Sequence, residues 1–416
     1  MFAQIFILTV MSIIRLQLIF LFSIAFFYPS LAKTRDVKSK QTTCKSGDII
    51  MGADRVDVIN RLTANKRTGL IANQTSVLSD GTHLLDALLN EGVNVVKVLA
   101  PEHGFRGTED AGAYINNSRD EKTGIQIISI YGNNNNKPTA SQLSDIDVLI
   151  FDIQDVGTRF FTYISTMHYA MEACAENGVE FIVLDRPNPN DFVDGPVRKK
   201  GFSSFVGVDP IPVLHGLTVG ELARMINGEG WISTGIKSCR LSVIPMKNWS
   251  HGDPYSLPVK PSPNLPNDIS IRLYPSICFF EGTNISVGRG TEFPFQVLGN
   301  PDKKYGEFTF TPKSIKGMDT NPMYKDKVCY GTDLRNESFE GGLSLRFVFD
   351  FFRKSGNNEK EFFARANWFD ILAGTDVLRQ QIIKGLSESE IRRSWENELN
   401  EYKKMRVKYI IYDDYR

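Results

Sequence analysis

The chain has 416 residues, 42% hydrophobic and 23% charged, with 48 Lys+Arg against 48 Asp+Glu. That length exceeds what one simple core usually takes, so two domains are expected. The balanced charge removes the electrostatic reason for nucleic acid or an anionic membrane as partner; a local cationic site for an acidic sugar stays open.

Residues 1–31 are almost wholly apolar, broken by Arg15, Gln17 and a few small polar residues. With a start at Met11, Arg15 supplies a short positive n-region, 18–27 the h-region, and Ser30-Leu31-Ala32 a small-residue cleavage site. The expectation is a signal peptide over 1–32, export to the periplasm or the medium, and no membrane span in the mature protein. A retained anchor is the alternative, but the apolar run after Arg15 is short for a spanning helix. Residues 33–46 are polar and read as a flexible mature N-terminus.

From Gly69 onward, short apolar runs alternate with helical patterns. Strands are predicted at 69–72, 93–99, 125–130, 147–151 and 181–184, and helices at 84–89 and 163–176, the latter capped by Gly178. Fully apolar strands between helices imply a parallel sheet covered on both faces, hence an α/β, Rossmann-like, doubly wound N-terminal domain. Thr218 and Glu221 form a capping-box pattern that opens another helix. Pro258, Pro261, Pro263 and Pro266 mark a loop, and the boundary is set there: an N-terminal domain over 47–268 and a smaller α/β domain over 269–416. In the second, 308–310 reads as a strand, 345–352 and 390–404 as helices with a capping box at Ser387 and Glu390, and 409–412 as a final strand or a docking segment. The five cysteines, Cys44, Cys174, Cys239, Cys278 and Cys329, contain no CxxC; neither a zinc framework nor a full disulfide set is implied, and one disulfide stays open.

Polar residues follow each strand of the first domain: Asn73 the first, Glu102 and His103 the second, Tyr131 the third, Asp152, Gln154 and Asp155 the fourth, Asp185, Arg186 and Asn188 the fifth. In an open parallel sheet, ligands bind outside the carboxyl ends of the strands. These residues are therefore expected to converge on one cleft, although Asp and Asn there also serve as helix caps. No GxGxxG follows the first strand and no P-loop, GxSxG or HExxH occurs. A dinucleotide oxidoreductase is disfavoured, and no cofactor is expected. Asp152, Asp155 and His215 offer only a weak metal-binding pattern.

Two segments concentrate reactive groups. PEHGFRG from Pro101 sets Glu102, His103 and Arg106 between glycines that permit close backbone approach to a ligand. FFEGTN from Phe279 puts Glu281 after an apolar run, where burial beside aromatics would suit a general acid. Arg289, between Gly288 and Gly290, is a candidate clamp for a carboxylate, and Glu292 rivals Glu281 for the acid role.

Long motifs carry a resemblance: GLIANQTSV from Gly69, LAPEHGFRG from Leu99, LIFDIQDVGTRFFTYISTM from Leu149, VLDRPNPN from Val183, PSPNLPN from Pro261 and LYPSICFFEGTNISVGRGTEFPFQVLGNP from Leu273. GTDLR from Gly331, GGLSLR from Gly341 and GTDVLRQQI from Gly374 continue it. From about residue 60 onward the chain resembles the exo-β-N-acetylmuramidase NamZ family. That resemblance implies a cleft between a Rossmann-like domain and a smaller one, and release of N-acetylmuramic acid from non-reducing ends of peptidoglycan fragments. It also implies Glu102 and Glu281 as catalytic carboxylates. Glycosidases commonly set two carboxyl groups about the scissile bond; the provisional division makes Glu281 the acid and Glu102 its partner. Tyr163, Asn264 and Asn284 lie in the same motifs and join the substrate-binding candidates, and Arg289, Arg159 or Arg106 is expected to meet the lactyl carboxylate. A non-catalytic sugar-binding protein and a metal-dependent esterase or deacetylase are the rival readings.

Overall fold

A computed structural model describes residues 49–105, 117–132, 136–232, 235 and 238–414. The expected signal peptide, the segment over 33–46, Cys44 and Arg106 lie outside the described residues.

Twelve strands are described: β1 (Thr68–Ala72), β2 (Val95–Ala100), β3 (Ser118–Arg119), β4 (Gln126–Ser129), β5 (Val148–Asp152), β6 (Glu180–Leu184), β7 (Val193–Asp194), β8 (Leu214–His215), β9 (Arg240–Ile244), β10 (Val297–Asn300), β11 (Phe308–Phe310) and β12 (Cys329–Asp333). Seven make one sheet in the order β3-β4-β2-β1-β5-β6-β9. Every pairing is parallel except β3 with β4. β1 is the pivot: the chain leaves it for β2 and β4 on one side, then returns to β5, β6 and β9 on the other. This is the doubly wound α/β arrangement.

Alternation along the strands explains why both faces are covered. Ile71, Leu99, Leu149, Phe151 and Val183 enter one core, which takes in the Tyr163–Asn177 and Val219–Gly228 helices. Leu70, Val98, Ile150 and Ile182 enter the other, against the Val56–Thr63 and Leu84–Asn90 helices. Gly178 ends the Tyr163–Asn177 helix in the left-handed region, and both capping boxes form, at Thr218 and at Ser387.

After residue 268 the character changes. β10, β12 and β11 form an antiparallel sheet, and helices dominate the rest. Yet the first core runs on without a break into Phe279, Phe280, Phe351, Phe369 and Trp395. Polar contacts stitch the two segments together. Arg392 pairs with Asp194 at 2.7 Å, and the Tyr402 hydroxyl donates to the His215 carbonyl at 2.7 Å. The proline-rich loop is held as well, since Gln74 Nε2 donates to the carbonyls of Lys260 and Pro261, both at 3.2 Å. The last residues form no named strand; they dock, with the Tyr412 hydroxyl donating to Asp185 at 2.6 Å. Cys174, Cys239, Cys278 and Cys329 are free and buried. Among the described residues no helix is long and apolar enough to cross a membrane.

Candidate active site

A cavity of about 420 Å³ opens beyond the carboxyl ends of β2 and β4. Glu102, His103, Tyr131, Tyr163, Asn264, Glu281 and Arg289 are among its lining residues, with Thr162, Phe205, Phe295 and Trp368. Its volume lies in the lower part of the usual range for ligand sites, roughly 300–1,000 Å³. It suits a sugar unit rather than a long glycan.

Glu102 sits in a tight turn directly after β2, closed by Gly104 N–H donating to the Pro101 carbonyl at 3.0 Å. His103 takes φ 66°, left-handed without being glycine. Such strain costs about 1–3 kcal/mol and tends to collect at functional sites. Each carboxylate oxygen of Glu102 has a hydroxyl donor. Tyr131 donates to Oε1 at 3.0 Å and Thr162 to Oε2 at 2.7 Å. The Tyr163 hydroxyl reaches the Glu102 carbonyl at 3.4 Å. Burial first, and then the Glu102 charge, push the Tyr131 and Tyr163 phenols well above the ordinary value, so both remain protonated donors.

Glu281 arrives differently. The Asp268–Ile277 helix contains Pro275 and gives way to a 3₁₀ turn over Cys278–Gly282. Proline fits only near a helix end because it lacks an N–H and crowds the preceding turn. Phe279 and Phe280 turn into the core, fully buried, while Glu281 keeps partial access. What faces it is Arg289: Nε and Nη2 both approach Oε1, at 2.8 and 2.7 Å. Burial disfavours the guanidinium charge, but Glu281 more than offsets this and holds the Arg289 pKa above its usual value. Gly288 and Gly290, both at φ 77°, let the backbone bend on either side of Arg289. A Cβ at Gly290 would stand 2.5 Å from the Lys313 carbonyl oxygen. Phe295, beneath the guanidinium at 5.0 Å, also has positive φ, 56°.

The strand-end residues divide. Glu102, His103 and Tyr131 reach the cavity; the others turn inward to hydrogen bonds within the protein, and are not among its lining residues. Asp152 pairs with Arg186 at 2.6 Å, both fully buried. Asn73 Oδ1 accepts from Thr75, whose hydroxyl in turn accepts from Gln154 N–H. Gln154 Nε2 donates to the carbonyls of Asp155 and Pro187. Asp155 accepts from Gly157 N–H at 2.7 Å and lies 3.3 Å from His215 Nε2. Asp185 accepts from Thr218 and Gly220 at a helix start, and Asn188 donates to the Leu217 carbonyl. The crevice over β1 and β5 is thus filled by the protein's own hydrogen bonds, and the open site lies one strand further, over β2 and β4. Arg159 is buried completely and donates to the carbonyls of Pro196, Ile211 and Leu372 at 2.8–2.9 Å. Asn284 is tied to Tyr305 and Asn300 behind the wall, and Glu292 is exposed. Among the described residues no group of three His, Cys, Asp or Glu side chains is arranged to hold a metal ion.

The chain matches "Exo-beta-N-acetylmuramidase NamZ, N-terminal" over residues 68–269 and "Exo-beta-N-acetylmuramidase NamZ, C-terminal" over residues 272–412. The chain belongs to the NamZ family. The Peptidoglycan beta-N-acetylmuramidase NamZ of Bacillus subtilis (strain 168) is 38% identical over 94% of this chain and 98% of its own. Two crystal structures of DUF1343 family proteins from Bacteroides fragilis NCTC 9343 are also similar. One has 42% identity and a TM-score of 0.80, the other 32% and 0.75; each covers 88% of this chain and 99% of its own. In this NamZ-family chain the cavity draws Glu102 from the N-terminal match and Glu281 from the C-terminal one.

Thr162, Phe205, Tyr274 and Trp368 escaped the sequence reading. Thr162 had one usable signal: it stands where a helix N-cap belongs, immediately before Tyr163. The others come from segments with no strand-end signature: Phe205 from a loop of the first segment, and Tyr274 and Trp368 from the second, which only its packing on the first brings in.

Proposed function

We propose that this protein is an exo-acting β-N-acetylmuramidase that releases N-acetylmuramic acid from non-reducing ends of peptidoglycan fragments during cell-wall turnover. The observation that carries this reading is the pair of glutamates, Glu102 and Glu281, lining one sugar-sized cavity. Two carboxyl groups about a glycosidic bond are what acid-assisted hydrolysis requires. Membership of the NamZ family and the name of the Bacillus subtilis relative support the substrate class. The apolar leader supports export, which would place the enzyme with its glycan outside the cytoplasm.

Arg289 is the arginine best placed for the lactyl carboxylate. Its Nε and Nη2 hold Glu281, which leaves Nη1 for a second anion in the same cavity. Incubation with a muramyl–glucosamine disaccharide should yield free N-acetylmuramic acid and the glucosamine unit, identified by mass. The matching glucosaminide disaccharide, which lacks the lactyl ether, should be cleaved about 100-fold less efficiently, the weight of a lost charge-assisted contact. Binding of the muramyl disaccharide without release would leave a sugar-binding protein instead. Equal cleavage of both disaccharides would remove the Arg289 assignment.

A further inference from the structure

Resting on the muramidase reading, we propose that Asn264 selects the N-acetyl group of the muramyl unit. Its Oδ1 accepts the acetamido N–H, and the apolar wall of the same cavity takes the acetyl methyl.

A buried polar atom without a partner is rare in a folded protein and calls for a reason. Two residues that line the cavity carry one, with no hydrogen-bond partner among the described residues: Asn264 at Oδ1 and Ser204 at Oγ. A hydroxyl both donates and accepts, so Ser204 selects for neither. Asn264 differs, because its amide is fixed in one sense. Nδ2 donates to the Met318 carbonyl at 3.0 Å, and exchanging the two amide atoms would set oxygen against oxygen. Oδ1 is therefore an acceptor alone, on a residue only 2% exposed.

The acceptor is also held in place before a ligand arrives. Asn264 lies in a turn closed by Leu265 N–H donating to the Ser262 carbonyl at 3.1 Å. Its own N–H donates to Ser262 Oγ at 3.1 Å. Pro261, Pro263 and Pro266 fix the backbone around it. A group already ordered in this way loses little freedom on binding.

An acetamido group offers one N–H, which only donates, and a methyl beside it. Leu265, next in the chain, lines the cavity with Phe160, Phe161 and Tyr274. A single fixed acceptor among apolar side chains suits that pair of features. The placement agrees with the sugar as well. On muramic acid the acetamido and lactyl groups stand on adjacent carbons. Residues 313–319 hold the candidate partners of both. Lys313 N–H donates to the carbonyl of Gly290, the neighbour of Arg289, at 2.7 Å, and the Met318 carbonyl takes Asn264 Nδ2. The acceptor for one substituent is thus anchored to the same segment as the arginine for the other.

The test compares two free sugars as competitive inhibitors of disaccharide cleavage. One is N-acetylmuramic acid; the other carries a 2-O-acetyl ester in place of the amide, with the same shape and no N–H. Inhibition reads binding alone, without any bond made or broken in the probe. Wild-type enzyme should bind the amide about 10–100-fold more tightly, because the ester sets an oxygen against Oδ1 and leaves it unpaired. Asn264→Leu keeps the side-chain shape but has no acceptor, and should bring that ratio within about 3-fold of unity. Equal inhibition by amide and ester in the wild type overturns the proposal, and it does so even if the variant fails to fold. A preference that survives in Asn264→Leu overturns it too. Wild-type enzyme that releases no N-acetylmuramic acid from the muramyl–glucosamine disaccharide removes the muramidase reading itself. That result is distinct from equal inhibition of an enzyme that turns over.

Discussion

Arg159 shows how a functional-looking residue can be structural. Its guanidinium is fully buried with no carboxylate partner among the described residues, and it donates to carbonyls of three separate segments. Burial first, and the neighbouring Arg198 charge second, bring its pKa down to about 9. Arg159→Met would leave the Pro196, Ile211 and Leu372 carbonyls short of donors in a dry interior, and an unsatisfied buried group costs roughly 1–3 kcal/mol. Urea denaturation should show a loss of about 3–5 kcal/mol, softened or worsened by how the site relaxes. Muramide preference per folded molecule should stay within about 2-fold, because Arg159 is outside the cavity lining. Lost preference with intact stability would return Arg159 to the lactyl site. Nothing in the local sequence separated Arg159 from Arg289: both lie in polar, glycine-containing motifs, and only the long-range fold shows that one faces carbonyls and the other a glutamate.

At the scale of elements, sequence periodicity located the five inner strands of the large sheet, β4, β2, β1, β5 and β6, within one or two residues, and missed the edge strands β3 and β9. Strands buried on both faces must be apolar throughout, and that pattern is local. β9 has a mostly half-buried face at the sheet edge, so its pattern is diluted. The short strands β10 and β12 pair across thirty residues, which no local signal encodes. The docking of the C-terminal segment was open for the same reason, and it rests on a buried ionic cluster. His251 Nδ1 lies 3.0 Å from Asp191 and Nε2 2.9 Å from Glu221, with Arg406 Nη2 3.3 Å from Nδ1. Burial alone would lower the His251 pKa; its hydrogen bonds to Asp191 and Glu221 outweigh that and raise it to about 9. A raised histidine stabilises the fold fully below its unfolded value, near 6.5, and the contribution is lost as pH rises to about 9. Unfolding free energy should therefore fall by on the order of 2–3 kcal/mol from pH 6.5 to 9, and His251→Gln should flatten that slope. Asp185 acts in another window. Burial and the Glu221 charge push its carboxyl up to about 6, so its contribution is present below about pH 4 and is gone above 6. A slope from pH 6.5 to 9 that survives in His251→Gln would place the titration elsewhere.

On the scale of the whole molecule, the question is whether the two matched segments unfold apart. Separable domains meet across modest, polar interfaces; these two share one apolar core. Phe279 packs edge-on against Phe160 at 5.8 Å, and Tyr274 against the same ring at 5.2 Å. Arg159 reaches across to Leu372, Tyr402 to His215 and Tyr412 to Asp185. Cutting the chain near residue 270 would expose these rings and orphan those buried polar groups together, so neither part keeps a complete core. Cooperative unfolding in one step is the consequence. Trp231 and Trp249 report the first segment, Trp368 and Trp395 the second. Variants keeping only one pair as fluorophores should give coincident urea midpoints once corrected for their own stability changes. Two resolved transitions would mean that the segments move as independent bodies. With one transition, the spacing between Glu102 and Glu281 is set by a shared interior, and the cavity that brings them together is as rigid as the core behind it.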